Sequence, residues 1–254
     1  MDRRHALAAV FSLGLSLGAA PALAQPATTR VVVGFAPGGS VDALARLVAE
    51  ALQTGMGRTA IVENRTGAAG RLAVEQVKAS PPDGSMLLLA PQGPMTLFPH
   101  VFRSLRYDPG RDFVPVTRVA SGDFALTIGP LVPAKDMKGF RAWLATAGDK
   151  ANYGSPGAGT IPHFVGVAFA RQAGVPMTHV PYRGSALSMN DLAGGQIAMA
   201  VSPVTEALEL HKAGRVTIVA TTGGQRSTFV DGVPTLKEAG VDLEVPLWFA
   251  VYAP

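Results

Sequence analysis

The chain has 254 residues, 48% hydrophobic and 16% charged, with 29 Gly, 20 Pro and no Cys. That is enough apolar material to build a core and too little charge for a disordered segment. The lack of cysteine excludes disulfide scaffolds, thiolate zinc sites, iron–sulfur clusters and thiol catalysis. The net charge is +4, and past the first residues the Lys and Arg are scattered singly, so no phosphate-backbone footprint for nucleic acid exists, whereas a small anion is well suited.

Met1–His5 is basic, Ala6–Ala20 is apolar and Ala22-Leu23-Ala24 is an A-x-A pattern, so residues 1–24 read as an export signal cleaved after Ala24. The apolar run is shorter than the roughly 20 residues that span a bilayer. The Arg3-Arg4 pair leaves Sec and twin-arginine export both open.

Beyond the signal, β-branched runs alternate with helical spacings. Arg30–Phe35 predicts a strand, Val41–Leu52 a helix, Ala60–Glu63 a strand, Ala69–Ala79 a helix and Met86–Ala90 a strand, entered through the turn Pro81-Pro82-Asp83-Gly84. Pro91–Val116 reads as an irregular stretch broken by Pro and Gly. The alternation then resumes with a strand at Phe124–Ile128, a helix near Phe140–Ala147, the short Asn152-Tyr153 and a helix at Ile161–Gln172. It ends with a strand at Thr178–Val180, a helix at Ser185–Ala193 and strands at Ile197–Val201 and Val216–Ala220. Two βαβ blocks imply two α/β lobes, each a mainly parallel sheet flanked by helices, with the ligand crevice between them or at the carboxyl ends of their strands.

Three glycine loops follow strands and precede helices: Ala36–Ser40, Asn64–Gly70 and Tyr153–Thr160. A helix start leaves unpaired N–H groups and the positive end of its dipole pointing at one place, which suits a carboxylate or phosphate. A nucleotide P-loop fails on residues, because Gly39 stands where its lysine would sit, and GxGxxG is absent. His100, His163, His179 and His211 form no HExxH and no i, i+4 pair, so no zinc-protease site and no metal is expected. Ser155 lacks the GxSxG elbow, while a triad of Ser155, His163 and Asp191 meeting in space stays open as a secreted serine hydrolase.

Taken in order, seven motifs resemble the Bug family of periplasmic solute-binding proteins that serve tripartite tricarboxylate transporters. They are Gly34–Asp42, Val62–Gly70, Pro82-Asp83-Gly84, Tyr153–Thr160, His179–Gly184, Asp191–Gln196 and Val233–Gly240. The resemblance implies a two-lobed periplasmic-binding-protein (Venus flytrap) fold closing on a small carboxylate, with no cofactor and no catalysis. It implies lobe 1 over 25–122, lobe 2 over 123–243 and a return crossover over 244–254, with crossing segments near Gly122–Ile128 and Glu244–Tyr252. Relatives continue further, so the remainder of lobe 1 is expected to be missing from this chain.

Carried onto this sequence, Ala36, Pro37, Gly38 and Gly39 would cradle one carboxylate, with Gly67 in the next loop. Ser155, Gly157, Gly159 and Thr160 would face them from the second lobe, Thr160 donating its hydroxyl. Asp191 would orient a substrate amine, hydroxyl or bound water, and Arg183 would pair with charge. The segment Gln92–Phe98, where relatives often supply polar contacts, is apolar here. The implied partners are a small carboxylate and the membrane permease subunits of a tripartite tricarboxylate transporter, the implied compartment is the periplasm, and the implied state is monomeric. A periplasmic carboxylate sensor subunit is a further alternative, beside the secreted serine hydrolase from another class.

Overall fold

The computed structural model describes residues 28–254, so the export signal read at 1–24 lies outside the described residues. Among the described residues nine strands form: β1 (Thr29–Val33), β2 (Ala60–Asn64), β3 (Met86–Pro91), β4 (Val114–Ile128), β5 (Asn152–Ser155), β6 (Thr178–Pro181), β7 (Met199–Pro203), β8 (Thr217–Thr221) and β9 (Pro246–Ala253). Eight α-helices connect them: α1 (Ser40–Met56), α2 (Arg71–Lys78), α3 (Gly93–Thr96), α4 (Phe98–Val101), α5 (Met137–Ala147), α6 (Ile161–Ala173), α7 (Ser185–Ala193) and α8 (Val204–Lys212).

The result is an α/β fold of two sheets that share one strand. In the first sheet the order is β2-β1-β3-β9-β4, with β1, β2 and β3 parallel and β9 antiparallel to its neighbours. In the second, β6, β5 and β7 run parallel and β4 lies antiparallel between β7 and β8. Val114–Asp123 of β4 pairs with β9, and Phe124–Ile128 pairs with β7 and β8.

Local sequence explains most elements. α1 repeats Val41, Ala45 and Ala49 on its buried face and ends at Gly57, whose φ of 63° lets its N–H reach the Gln53 carbonyl. α6 carries Pro162 in its first turn and stops at Gly174 in the left-handed region. The core runs through both sheets, from Val31 and Leu89 across Phe124, Leu247 and Phe249 to Leu126, Phe140 and Phe169. Each such side chain contributes about 1.5–3 kcal/mol on burial.

Three readings of the sequence are corrected. The stretch 91–116 holds α3, α4 and the start of β4, which extends ten residues ahead of the predicted strand at Phe124. Pro115 is tolerated there because this half of β4 pairs on one side only and shifts register at Pro115/Thr117. Helix α8 was not expected, and β7 begins at Met199 rather than Ile197.

The two sheets are stitched where β4 and β9 pass between them. Thr222 is fully buried; its hydroxyl donates to the Val245 carbonyl at 2.7 Å and accepts the Phe124 N–H at 3.0 Å. Its backbone N–H bonds the Phe124 carbonyl, and its carbonyl accepts the Val245 N–H. Gln92 acts likewise in the first sheet, donating to the Pro246 carbonyl and accepting the Trp248 N–H.

Candidate functional site

The loop between β1 and α1 is forced into shape by close packing. A Cβ on Gly34 would lie 2.5 Å from Gly70 Cα, so only glycine lets the first loop touch the second. Asp42, in the first turn of α1, is buried and accepts from Gly38 N–H, Arg46 and Asn64. Burial pushes its pKa up, but those three donors outweigh it and hold the carboxyl below its ordinary range. The same bonds tie the loop to β2 through Asn64.

Across from this loop stand the second sheet's loops. The Ala36 N–H donates to the Arg183 carbonyl at 2.9 Å. The Ser40 N–H donates to Glu206 Oε1 at 2.8 Å, and the Ser40 and Thr205 hydroxyls meet at 2.9 Å. A Cβ on Gly184 would sit 3.2 Å from Ala36 N, and one on Gly157 would sit 3.1 Å from Ala69 Cβ. The halves are therefore in direct contact on both flanks of the crevice.

Between them lies a cavity of about 60 Å³, part of it open to solvent. Its walls come from both sheets: Phe35, Ala36 and Gly39 on one side, Pro156, Thr160 and Ile161 on the other, with Phe124 and Phe249 at the strand crossing. The lining is mostly apolar with a few convergent polar groups, the usual make-up of a small-molecule site. Gln92, Gly93, Pro94 and Phe98 complete one wall, although the Gln92 amide is spent on β9. A second hollow beside it is lined by Gly67, Gly157, Arg183 and Arg71, with the Arg71 guanidinium 3.9 Å over the Phe102 ring.

The residues expected to bind are thus divided. Ala36, Gly39 and Thr160 line the main cavity, and Gly67, Gly157 and Arg183 line the second hollow. The Gly38 N–H is taken by Asp42, and Pro37, Gly38 and Gly159 line neither space. The Thr160 hydroxyl does not point its hydrogen at the cavity; it donates to the Gly157 carbonyl at 2.7 Å, closing its own loop. Ser155 is fully buried, and the Asp191 carboxylate accepts from the Tyr182 hydroxyl at 2.8 Å, outside both spaces.

This arrangement also dismantles the hydrolase triad. Ser155 Oγ lies 2.7 Å from His179 Nε2, not beside His163, and 3.1 Å from the Gly157 carbonyl. His163 Nδ1 accepts the Gly159 N–H, and the two imidazoles lie 4.1 Å apart by ring centre. Burial and then repulsion from His163 push His179 down to about 4, leaving a weak base beside a serine that no substrate reaches. Among the described residues no group of three or more His, Asp or Glu is placed to hold a metal, and no helix is long and apolar enough to cross a membrane.

One ionisable residue of the cavity wall escaped the sequence reading. Glu206 sits in the first turn of the unexpected helix α8 and is the one ionisable side chain among the described residues lining the main cavity. A signal was present: Val204, Ala207 and Leu208 follow helical spacing and Gly214 stops the run, directly after a buried strand.

Known proteins share this architecture. A family model described as "Tripartite tricarboxylate transporter family receptor" matches residues 44–254. The "UPF0065 protein in gbd 5'region" of Cupriavidus necator is 32% identical over 100% of this chain and 80% of its own length. Among solved structures, R. palustris Rpa4515 with adipate superposes with a TM-score of 0.85 at 31% identity, covering 89% of this chain and 76% of that one. MatC (Rpa3494) from Rhodopseudomonas palustris with bound malate has a TM-score of 0.84 at 29% identity, covering 91% and 79%. The periplasmic binding protein BugD has a TM-score of 0.84 at 30% identity, covering 89% and 76%.

Proposed function

The chain belongs to the tripartite tricarboxylate transporter receptor family, a family of solute-binding proteins, and from that premise we propose that it captures a small carboxylate in the cavity between its two sheets. The observation that carries the proposal is the cavity itself: it lies between halves joined by the β4 and β9 crossing, where the start of α1 faces the start of α6. Amide donors at the start of α6 suit an anionic oxygen, and closure around a ligand excludes water, so each charge-assisted bond strengthens. Relatives of this fold hold adipate and malate, which supports the same ligand chemistry here.

Lobe 1 then comprises residues 25–122, lobe 2 residues 123–243 and the return crossover 244–254, with bending at Phe124 and Thr222. Ala36, Pro37, Gly38, Gly39 and Gly67 serve the ligand from lobe 1, and Ser155, Gly157, Gly159, Thr160, Arg183 and Asp191 from lobe 2. Ala36, Gly39 and Thr160 are the members with direct access to the cavity. The others act by shaping the loops. The protein performs no chemistry. It works in the periplasm as a monomer, and the closed, loaded form docks on the permease subunits of a tripartite transporter.

A thermal-shift scan against mono-, di- and tricarboxylates tests this. A ligand at about 100 times its Kd stabilises the folded form by roughly 2.7 kcal/mol. A selective rise in Tm for one chemical class of acid is expected, and a cooperative melt unmoved by every acid contradicts it.

A further inference from the structure

The main cavity contains an acidic side chain, Glu206, among its apolar walls. Glu206 reaches across from α8 so that Oε1 accepts the Ser40 N–H at 2.8 Å, which occupies the α1 start with the protein's own carboxylate. Oε2 is withdrawn from solvent and has no hydrogen-bond partner. Around it the cavity walls are Phe35, Val41, Phe124, Leu247 and Phe249, and no cationic side chain lines the space. Burial pushes the Glu206 pKa up, with the Ser40 amide pulling it back down and the nearby Ser185 and Ser40 hydroxyls, neither of them bonded to Oε2, adding to that.

An unpaired acceptor in an apolar cavity favours a ligand that brings a donor, above all a charged one. A second carboxylate placed against it is repelled. We propose that the ligand, taken as a small carboxylate on the reading above, also bears an ammonium group on an apolar body, and that Glu206 Oε2 is the acceptor for that ammonium. The ligand's own carboxylate then lies toward α6, away from Glu206. Specificity comes from the repulsion as much as from the pairing, because the site rejects the matching acid that lacks the amine.

The test is calorimetric titration of the full chain with three matched pairs: leucine and 4-methylpentanoate, phenylalanine and 3-phenylpropanoate, glutamate and glutarate. In the wild type at least one amino acid is expected to bind about tenfold or more tightly than its partner without the amine. In Glu206→Gln, whose amide oxygen still accepts the Ser40 N–H, that preference shrinks to within about threefold. The wild-type comparison stands alone if the variant does not fold. Partners lacking the amine binding as tightly as the amino acids overturn the assignment and leave the receptor reading intact. A preference that survives Glu206→Gln overturns it too, as does a variant that binds the amine-free acids worse than the wild type, which would make Glu206 a protonated donor to carboxylate. Silence from all six probes also overturns it, and the wider acid scan then decides the receptor reading by itself.

Discussion

Three buried threonines differ in what their hydroxyls bond, and replacing Thr222 and Thr127 by valine separates the two cases. Thr222→Val keeps the shape but removes the group that donates to the Val245 carbonyl and accepts the Phe124 N–H. Both backbone groups lie where β4 and β9 pass between the sheets. Leaving a buried donor or acceptor unpaired costs roughly 1–3 kcal/mol, so two of them cost about 2–6 kcal/mol. For a chain of this size each kcal/mol moves Tm by roughly 2–4 °C, which gives a fall of roughly 4–24 °C. Thr127 and Thr221 are equally buried, yet their hydroxyls have no partner. Thr127→Val is therefore expected to leave Tm unchanged or raise it by the equivalent of up to ~1 kcal/mol. Paired thermal and urea melts of the two variants measure the contrast. If Thr222→Val costs under about 0.5 kcal/mol, or if Thr127→Val costs as much as Thr222→Val, the assigned role of the crossing-point hydroxyl is wrong.

Other perturbations test the remaining elements. Gly34→Ala drives a methyl against the Gly70 backbone and should destabilise by about 2–4 kcal/mol, read by urea midpoint; an unchanged midpoint means the loops do not touch as described. Asp42→Ala strands the Gly38 N–H and the Asn64 amide and should cost about 1–3 kcal/mol, with hydrogen exchange at Gly38 rising first. His179 titrates near 6.5 when unfolded and near 4 when folded, so the unfolded chain binds its proton first. Stability should then fall as pH drops from about 6.5 to about 4, by about 1–2 kcal/mol once solvent screening of the half-exposed ring is allowed for. Comparing Tm against pH for wild type and His179→Gln isolates that slope, and identical slopes would remove His179 from the account.

What the sequence reveals follows the range of the forces involved. β1 to β3 were readable because β-branched runs sit between glycine and proline punctuation, and α7 was readable because Leu187 and Met189 lie within a compact apolar stretch opened by Gly184. The α/β class followed from that alternation. β4 was read only from Phe124 onward, because Pro115, Thr117, Arg118 and Ser121 carry no apolar periodicity; its first half is held by pairing with β9 more than 120 residues later. The glycine loops announced helix starts, but their partners were invisible. The Ala36 amide meets Arg183, and the Ser40 amide meets Glu206 at a separation of 166 residues. Ser155 looked available as a single letter, yet folding spends it on His179. Side chains whose role depends on a contact across the crevice are legible only once both halves are in place.

The central claim is that a small carboxylate binds between the two sheets. An amide-resolved NMR titration tests it most directly, with the acid that gives the largest thermal shift added stepwise to the isotopically labelled protein. The account predicts saturable shifts centred on Ala36, Gly39, Thr160 and Ile161 together with Glu206, with smaller changes at Phe124 and Thr222 where the sheets are joined. Shifts clustered on an outer face of either sheet, or none at saturating acid, would contradict it.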